Sequence, residues 1–170
     1  MRVSLCLQAE GEYKEETMAG EKDLEKAKAK AKNVKLFVHD IHGVLTPNTF
    51  MVDIEGKRRY TFWHMDGFGD LSLHMNGVKP VYLDTSSIDD EGLYRAKELK
   101  LEKNYFKVTD KWAKIEELKK EMGIGDENVG YIGCEITDLG IMKKVGFSVA
   151  TADAIDEAKA IADYVTAAPG

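Results

Sequence analysis

The chain has 170 residues, 44% hydrophobic and 32% charged, with a formal net charge of −6 at pH 7. That length suits one domain with a real core, and the acidic balance excludes the basic stripe by which a nucleic-acid-binding surface displaces counterions. No apolar run approaches the roughly 20 residues that cross a bilayer, so no membrane partner is expected.

The opening "MRVSLCLQA" carries one arginine and an apolar patch too short and too weakly flanked for a signal peptide. Cys6 and Cys134 lie in dissimilar contexts and suggest no disulfide framework. The expected compartment is the cytoplasm, with reduced thiols. Residues 1–33 form a charged N-terminal extension in which glutamate and lysine recur at helical spacing. They read as a solvated helix leading into the domain, or as an arm that docks on a partner.

From Val34 strand and helix signals alternate. "VKLFVHD" is an apolar strand ending at Asp40. "TFMVDIEG" and "KRRYTFWHM" read as the arms of a hairpin turning at "EGK". "DGFGDLSLHMNG" carries a helical run, Leu71–Met75, stopped by Asn76-Gly77. "VKPVYLD" is a second buried strand, followed by a helix capped by Ser86 or Ser87. "NYFKV" is a short strand. "TDKWAKIEELKKEMG" is an amphipathic helix with Trp112, Ile115, Leu118 and Met122 on its core face and Gly123 as its stop. "NVGYIG", "FSVAT" and "DYVTAA" are further strands, separated by helices over "TDLGIMKKVG" and "AIDEAKAIA". The alternation implies an α/β fold, a three-layer α/β/α parallel sheet with a small β-hairpin flap and no large cap domain.

Sites in such folds form at the carboxyl ends of strands. Here those ends offer Asp40, "LDTSS" and "GCEITD", with "TDK" opening a helix beside them. Carboxylates, hydroxyls and a lysine together suit a phosphate monoester on Mg²⁺: hard oxygens hold the cation, lysine and hydroxyls hold phosphate oxygens, and a carboxylate attacks phosphorus.

"DIHGVLT", "DTSS", "TDKWAKIEEL" and "YIGCEITDLGIMKKVGFSVATADA", in that order, resemble the haloacid dehalogenase superfamily. Within it the chain resembles the small capless branch of 3-deoxy-manno-octulosonate 8-phosphate phosphatases and the C-terminal domain of acylneuraminate cytidylyltransferases. The likeness covers residues 34–170, a Rossmann-like phosphatase domain. It implies Asp40 as nucleophile and metal ligand, and His42 at the position of the general acid/base aspartate, lending the metal its backbone carbonyl. It implies Asp84 or Thr85 at the phosphate-binding hydroxyl position and Lys111 as the cation that neutralises phosphate and nucleophile. Asp66 belongs to a substrate loop in which Met65 replaces the family's arginine. Cys134 replaces a metal-binding aspartate, so Glu135 or Asp138 is expected to reach the Mg²⁺ instead, a thiolate being a soft ligand.

An imidazole titrates near pH ~6.5 and can take over acid/base work; the alternative is that His42 marks a site released from hydrolysis. Cys134 reads as a small buried residue, His39 as structural, and Trp63 and His64 as hairpin packing. Two functions follow. One is a Mg²⁺-dependent phosphatase of a small phosphorylated substrate. The other is a non-catalytic or specialised subunit of a complex, such as the δ subunit of a phenylphosphate carboxylase, by analogy of size and altered motifs. The resemblance also implies a homo-oligomer, a tetramer, or else a hetero-complex.

Overall fold

A computed structural model describes residues 21–85 and 90–170. Eight strands and six α-helices follow one another along them. The first are α1 (Glu21–Ala31), β1 (Leu36–His39), β2 (Met51–Val52), β3 (Arg58–Arg59), α2 (His64–Met75) and β4 (Lys79–Leu83). Then come α3 (Asp90–Glu98), β5 (Asn104–Tyr105), α4 (Lys111–Met122), β6 (Val129–Gly133) and α5 (Leu139–Met142). The chain closes with β7 (Phe147–Ala150), α6 (Asp156–Ile161) and β8 (Tyr164–Val165).

Six strands make one parallel sheet in the order β5-β4-β1-β6-β7-β8. β1 lies between β4 and β6, with Leu36 beside both Lys79 and Val129. Its residues are apolar on both sides because both sheet faces are covered. Leu36 and Val38 join the larger core with Ile115 and Leu118 of α4, while Phe37 joins Val34, Val149 and Leu73 of α2. β2 and β3 pair antiparallel as a separate hairpin, with Val52 opposite Arg58.

α4 is set by local rules. The Asp110 carboxylate accepts the Ala113 N–H at 2.9 Å, which caps the helix, and the helix ends at Gly123. Ile115 and Leu118 are buried as the pattern demands. Trp112 is only partly buried; its indole lies under the Lys144 and Lys119 ammonium groups, at 4.5 and 5.1 Å from the ring centre. α1 docks rather than floats, since Ala27 is buried and Lys30 Nζ bonds Asp163 at 2.5 Å.

Two expectations change. α2 begins at His64 instead of Leu71, taking in residues assigned to the hairpin, because Gly67 and Gly69 weaken the local helical signal without preventing the helix. The helix expected to run to Gly146 is a 3₁₀ turn over Ile136–Asp138 followed by the short α5. The Ser86 or Ser87 cap falls outside the described residues. No helix among the described residues is long and apolar enough to cross a membrane.

At Gly130 of β6 a side chain would overlap the Phe37 ring on the neighbouring strand. Gly130→Val is therefore expected to destabilise the protein by about 1–3 kcal/mol, read as a lower urea midpoint at unchanged m-value; an unchanged midpoint would mean the strand relaxes freely there.

Candidate active site

The last ladder residues of β1, β4 and β6 are His39, Leu83 and Gly133, and the chain delivers Asp40, Asp84 and Cys134 immediately after them. Lys111 opens α4 and reaches the same place. All four are buried. Lys111 Nζ donates to Asp40 Oδ1 at 2.7 Å, and to Asp138 Oδ1 and the Tyr131 hydroxyl at 3.3 Å each. One ammonium thus serves two buried carboxylates.

Burial raises the Asp40 pKa to about 7, and the neighbouring Asp138 charge adds to this, while Lys111 and the Ile41 N–H pull the other way. Burial alone would make Lys111 lose its proton more easily, but the Asp40 and Asp138 charges outweigh it and raise its pKa. Lys111 is therefore a firmly held cation, and the two acids compete for it.

Asp138 is fully engaged. Its Oδ1 accepts the Tyr131 hydroxyl at 2.5 Å as well as Lys111, and its Oδ2 accepts the backbone N–H groups of Cys134 and Glu135 at 2.9 and 3.2 Å. It therefore orders the turn after β6 and holds Lys111 in place. Glu135 faces outward and accepts the Thr137 hydroxyl at 2.7 Å, so the strand end does not present it to the cluster. Of the two acids expected to reach a metal, only Asp138 lies within the cluster, and its oxygens are already occupied.

Cys134 lies in the same cluster as Asp138. Asp40, Cys134 and Asp138 offer donor atoms within 4.8 Å of one another. The thiol also lies 3.2 Å from the His42 carbonyl oxygen, to which it donates. Burial pushes the thiol pKa up to about 12, and the Asp40, Asp138, Glu135 and Asp153 charges push the same way. The turn that aims this carbonyl depends on Gly43, at φ +73°, where a Cβ would press on Cys134 Sγ at 2.7 Å.

His42 projects toward the mouth. Its Nδ1 lies 3.7 Å from Asp84 Oδ1, and its ring meets Tyr60 of the segment after β3 at 4.5 Å between centres. Asp84 is nearly sealed, whereas Thr85 is exposed just beyond it. A groove of about 430 Å³, lined by Tyr60, Phe62, Glu91, Tyr94, Arg95 and Glu98, adjoins this side through Tyr60. Asp66 sits on α2, where burial raises its pKa and the Asp70, His39 and Arg95 charges act on it.

Two features escape sequence reasoning. Tyr131 looks like an ordinary strand aromatic but supplies a hydroxyl to the cluster. His39 does prove structural, and in company: Nε2 lies 3.1 Å from Asp70 Oδ1, whose other oxygen accepts the Tyr82 hydroxyl at 2.6 Å.

The donors around Asp40 test the family's cation. Asp40 and the His42 carbonyl are hard oxygens and suit magnesium; a neutral thiol as third donor does not. The set fits a divalent cation but not magnesium as built.

Residues 99–169 match the model of the haloacid dehalogenase-like hydrolases. The 3-deoxy-D-manno-octulosonate 8-phosphate phosphatase of Escherichia coli is 30% identical over 145 residues, 84% of this chain and 75% of that protein. The Moraxella catarrhalis phosphatase of the same name, solved with a magnesium ion, a phosphate ion and its sugar acid, superimposes at a TM-score of 0.81, with 28% identity over 86% of this chain and 84% of that one. The cobalt-bound Haemophilus influenzae phosphatase gives 0.77, with 27% identity over 83% and 82%. The order of strands, the placing of Asp40 and Lys111 and these likenesses agree: the chain belongs to the haloacid dehalogenase-like hydrolases, alongside the 3-deoxy-D-manno-octulosonate 8-phosphate phosphatases.

Proposed function

We propose that the protein is a phosphate-monoester hydrolase that acts through an aspartyl-phosphate at Asp40 on a small phosphorylated metabolite, of the sugar-acid phosphate class named for its relatives. The carrying observation is the Asp40 carboxylate at the end of the central strand, held 2.7 Å from a buried lysine. In the proposed reaction an Asp40 oxygen attacks phosphorus and the bond to the leaving oxygen breaks. Lys111 balances negative charge on the carboxylate and on the phosphoryl oxygens. His42 stands at the mouth to protonate the leaving oxygen and then to take a proton from the water that cleaves the aspartyl-phosphate. Thr85 supplies an exposed hydroxyl beside the site. A divalent cation, when bound, adds Lewis-acid stabilisation of the phosphoryl charge.

The named relatives are phosphatases, which supports hydrolysis over the complex-subunit alternative. The homo-oligomer remains part of this proposal, and exposed Met51, Val52 and Ile54 on the hairpin support an associating surface.

Phosphate release from a panel of sugar, sugar-acid and aryl phosphates, measured with Mg²⁺, Mn²⁺ and Co²⁺ in turn, tests the reading. Turnover is expected, and Asp40→Asn is expected to lower it by roughly three orders of magnitude or more. Equal rates from both proteins would sink it.

Lys111→Met leaves Asp40 and Asp138 facing each other in a dry site. The expected loss is about 3–5 kcal/mol of stability, measured by denaturant unfolding, together with loss of turnover.

The raised Asp40 pKa also has a sign. Between its ordinary value of 3.8 and about 7 the folded state holds a proton that the unfolded state has released, so this group's stabilising contribution falls as pH rises through that window. In metal-free protein, Asp40→Asn is expected to flatten the decline of melting temperature across that range; a parallel decline in both proteins would refute the assignment.

A further inference from the structure

Three converging donors remain only partly explained by the hydrolase chemistry. Asp40, Cys134 and Asp138 offer donor atoms within 4.8 Å of one another, and the Cys134 sulfur lies 3.2 Å from the His42 carbonyl oxygen. Around them lie two buried carboxylates, Asp40 and Asp138, and one buried ammonium, Lys111. When Asp40 is ionised, that leaves an excess of negative charge in a buried site, which attracts a cation. Asp138 is not the group that would receive it, since four hydrogen-bond donors already occupy its oxygens. Asp40 and the sulfur lie in the same cluster, with the carbonyl beside the sulfur.

Donor chemistry then decides which cation. A set of three oxygens is suited to magnesium, which demands hard ligands and near-octahedral geometry. Replacing one oxygen with sulfur lengthens one bond and softens the set, which shifts preference toward cobalt, zinc or cadmium. We propose that Cys134, with Asp40 and the His42 carbonyl, makes the cation site of this chain thiophilic, so that it takes a borderline-soft divalent ion in preference to magnesium. The ion binds sulfur as the thiol proton leaves to solvent, and the S–H···O contact to His42 opens so that the carbonyl turns its lone pair to the ion. Gly43 keeps that carbonyl and that sulfur in register, since a side chain there would push the sulfur away. This deepens the hydrolase reading by naming the ion of the same site, and the measurements below stand whether or not the protein turns over any phosphoester.

The probe is Co²⁺ alone, titrated into chelator-stripped full-length protein and followed by near-ultraviolet absorption, where bound thiolate gives a sulfur-to-metal charge-transfer band. Cys6→Ser serves as the parent, so that the chain's other cysteine contributes nothing. The parent is expected to show the band at one equivalent and to keep it in a large excess of Mg²⁺. Adding Cys134→Ser should abolish the band with circular dichroism unchanged. Adding Cys134→Asp should abolish it and strengthen Mg²⁺ binding by about tenfold or more, read by calorimetry. Co²⁺ binding without the band, no Co²⁺ binding, or Mg²⁺ binding to the parent as tight as to the Cys134→Asp variant would each overturn the proposal. Should both variants fail to fold, the band and the Co²⁺–Mg²⁺ competition in the parent still decide it.

Discussion

One buried ammonium ties the site together. Lys111 reaches from the first turn of α4 across the end of β1 to the turn after β6, and bonds Asp40, Asp138 and Tyr131 in a single cluster. Neither carboxylate would tolerate its burial without that charge, because an isolated buried ion is far costlier than a paired one. The lysine in turn depends on the start of α4, which the Asp110 cap sets. A local capping rule on one helix therefore fixes the electrostatics of an acid that arrives from another element.

Around that cluster the substituted positions are neighbours in space. His42, Asp84 and Cys134 come from three different strand ends. Yet His42 meets Asp84 through its ring and Cys134 through its main chain. The altered motifs noted in the sequence are thus one altered patch rather than scattered losses. Around them stand the parallel sheet, Asp40, the lysine it pairs with and the second acid that anchors that lysine. Lys111 is held in place by the two carboxylates it pairs, so removing it alone would leave both without a buried counter-charge.

Much of this was legible before any coordinates. The strands at β1, β4 and β6 announce themselves as short apolar runs bounded by turns, and α4 by its cap, its apolar stripe and its terminal glycine. Asp40 and Lys111 fall at the strand end and helix start where the sequence puts them, because those ends are legible. What stayed hidden depends on who sits next to whom across the fold. Tyr131 carries a hydroxyl that only Asp138 and Lys111 give a purpose. Asp70 on α2 looks like a surface acid until Tyr82 and His39 enclose it. Asp138 lies in the cluster as expected, but the four hydrogen-bond donors it gathers are invisible in the sequence. The extent of α2 was missed because helix propensity is a weak guide where glycines interrupt a helix that the rest of the fold stabilises.

The paired register of the three central strands ends at His39, Leu83 and Gly133, and the Asp40 and Asp84 N–H groups still donate across the sheet to Ile132 and Tyr105 at 3.1 and 2.9 Å. Those bonds use main-chain atoms alone, so they hold the backbone in place whatever side chain it carries. A residue can be exchanged at this rim without asking the sheet to refold, and three strands bring such freely editable positions within touching distance of one another. This is a physical account of how an old architecture acquires new ligands, new acids or new ions: the frame is bound by cooperative pairing, while its rim is open to revision one side chain at a time.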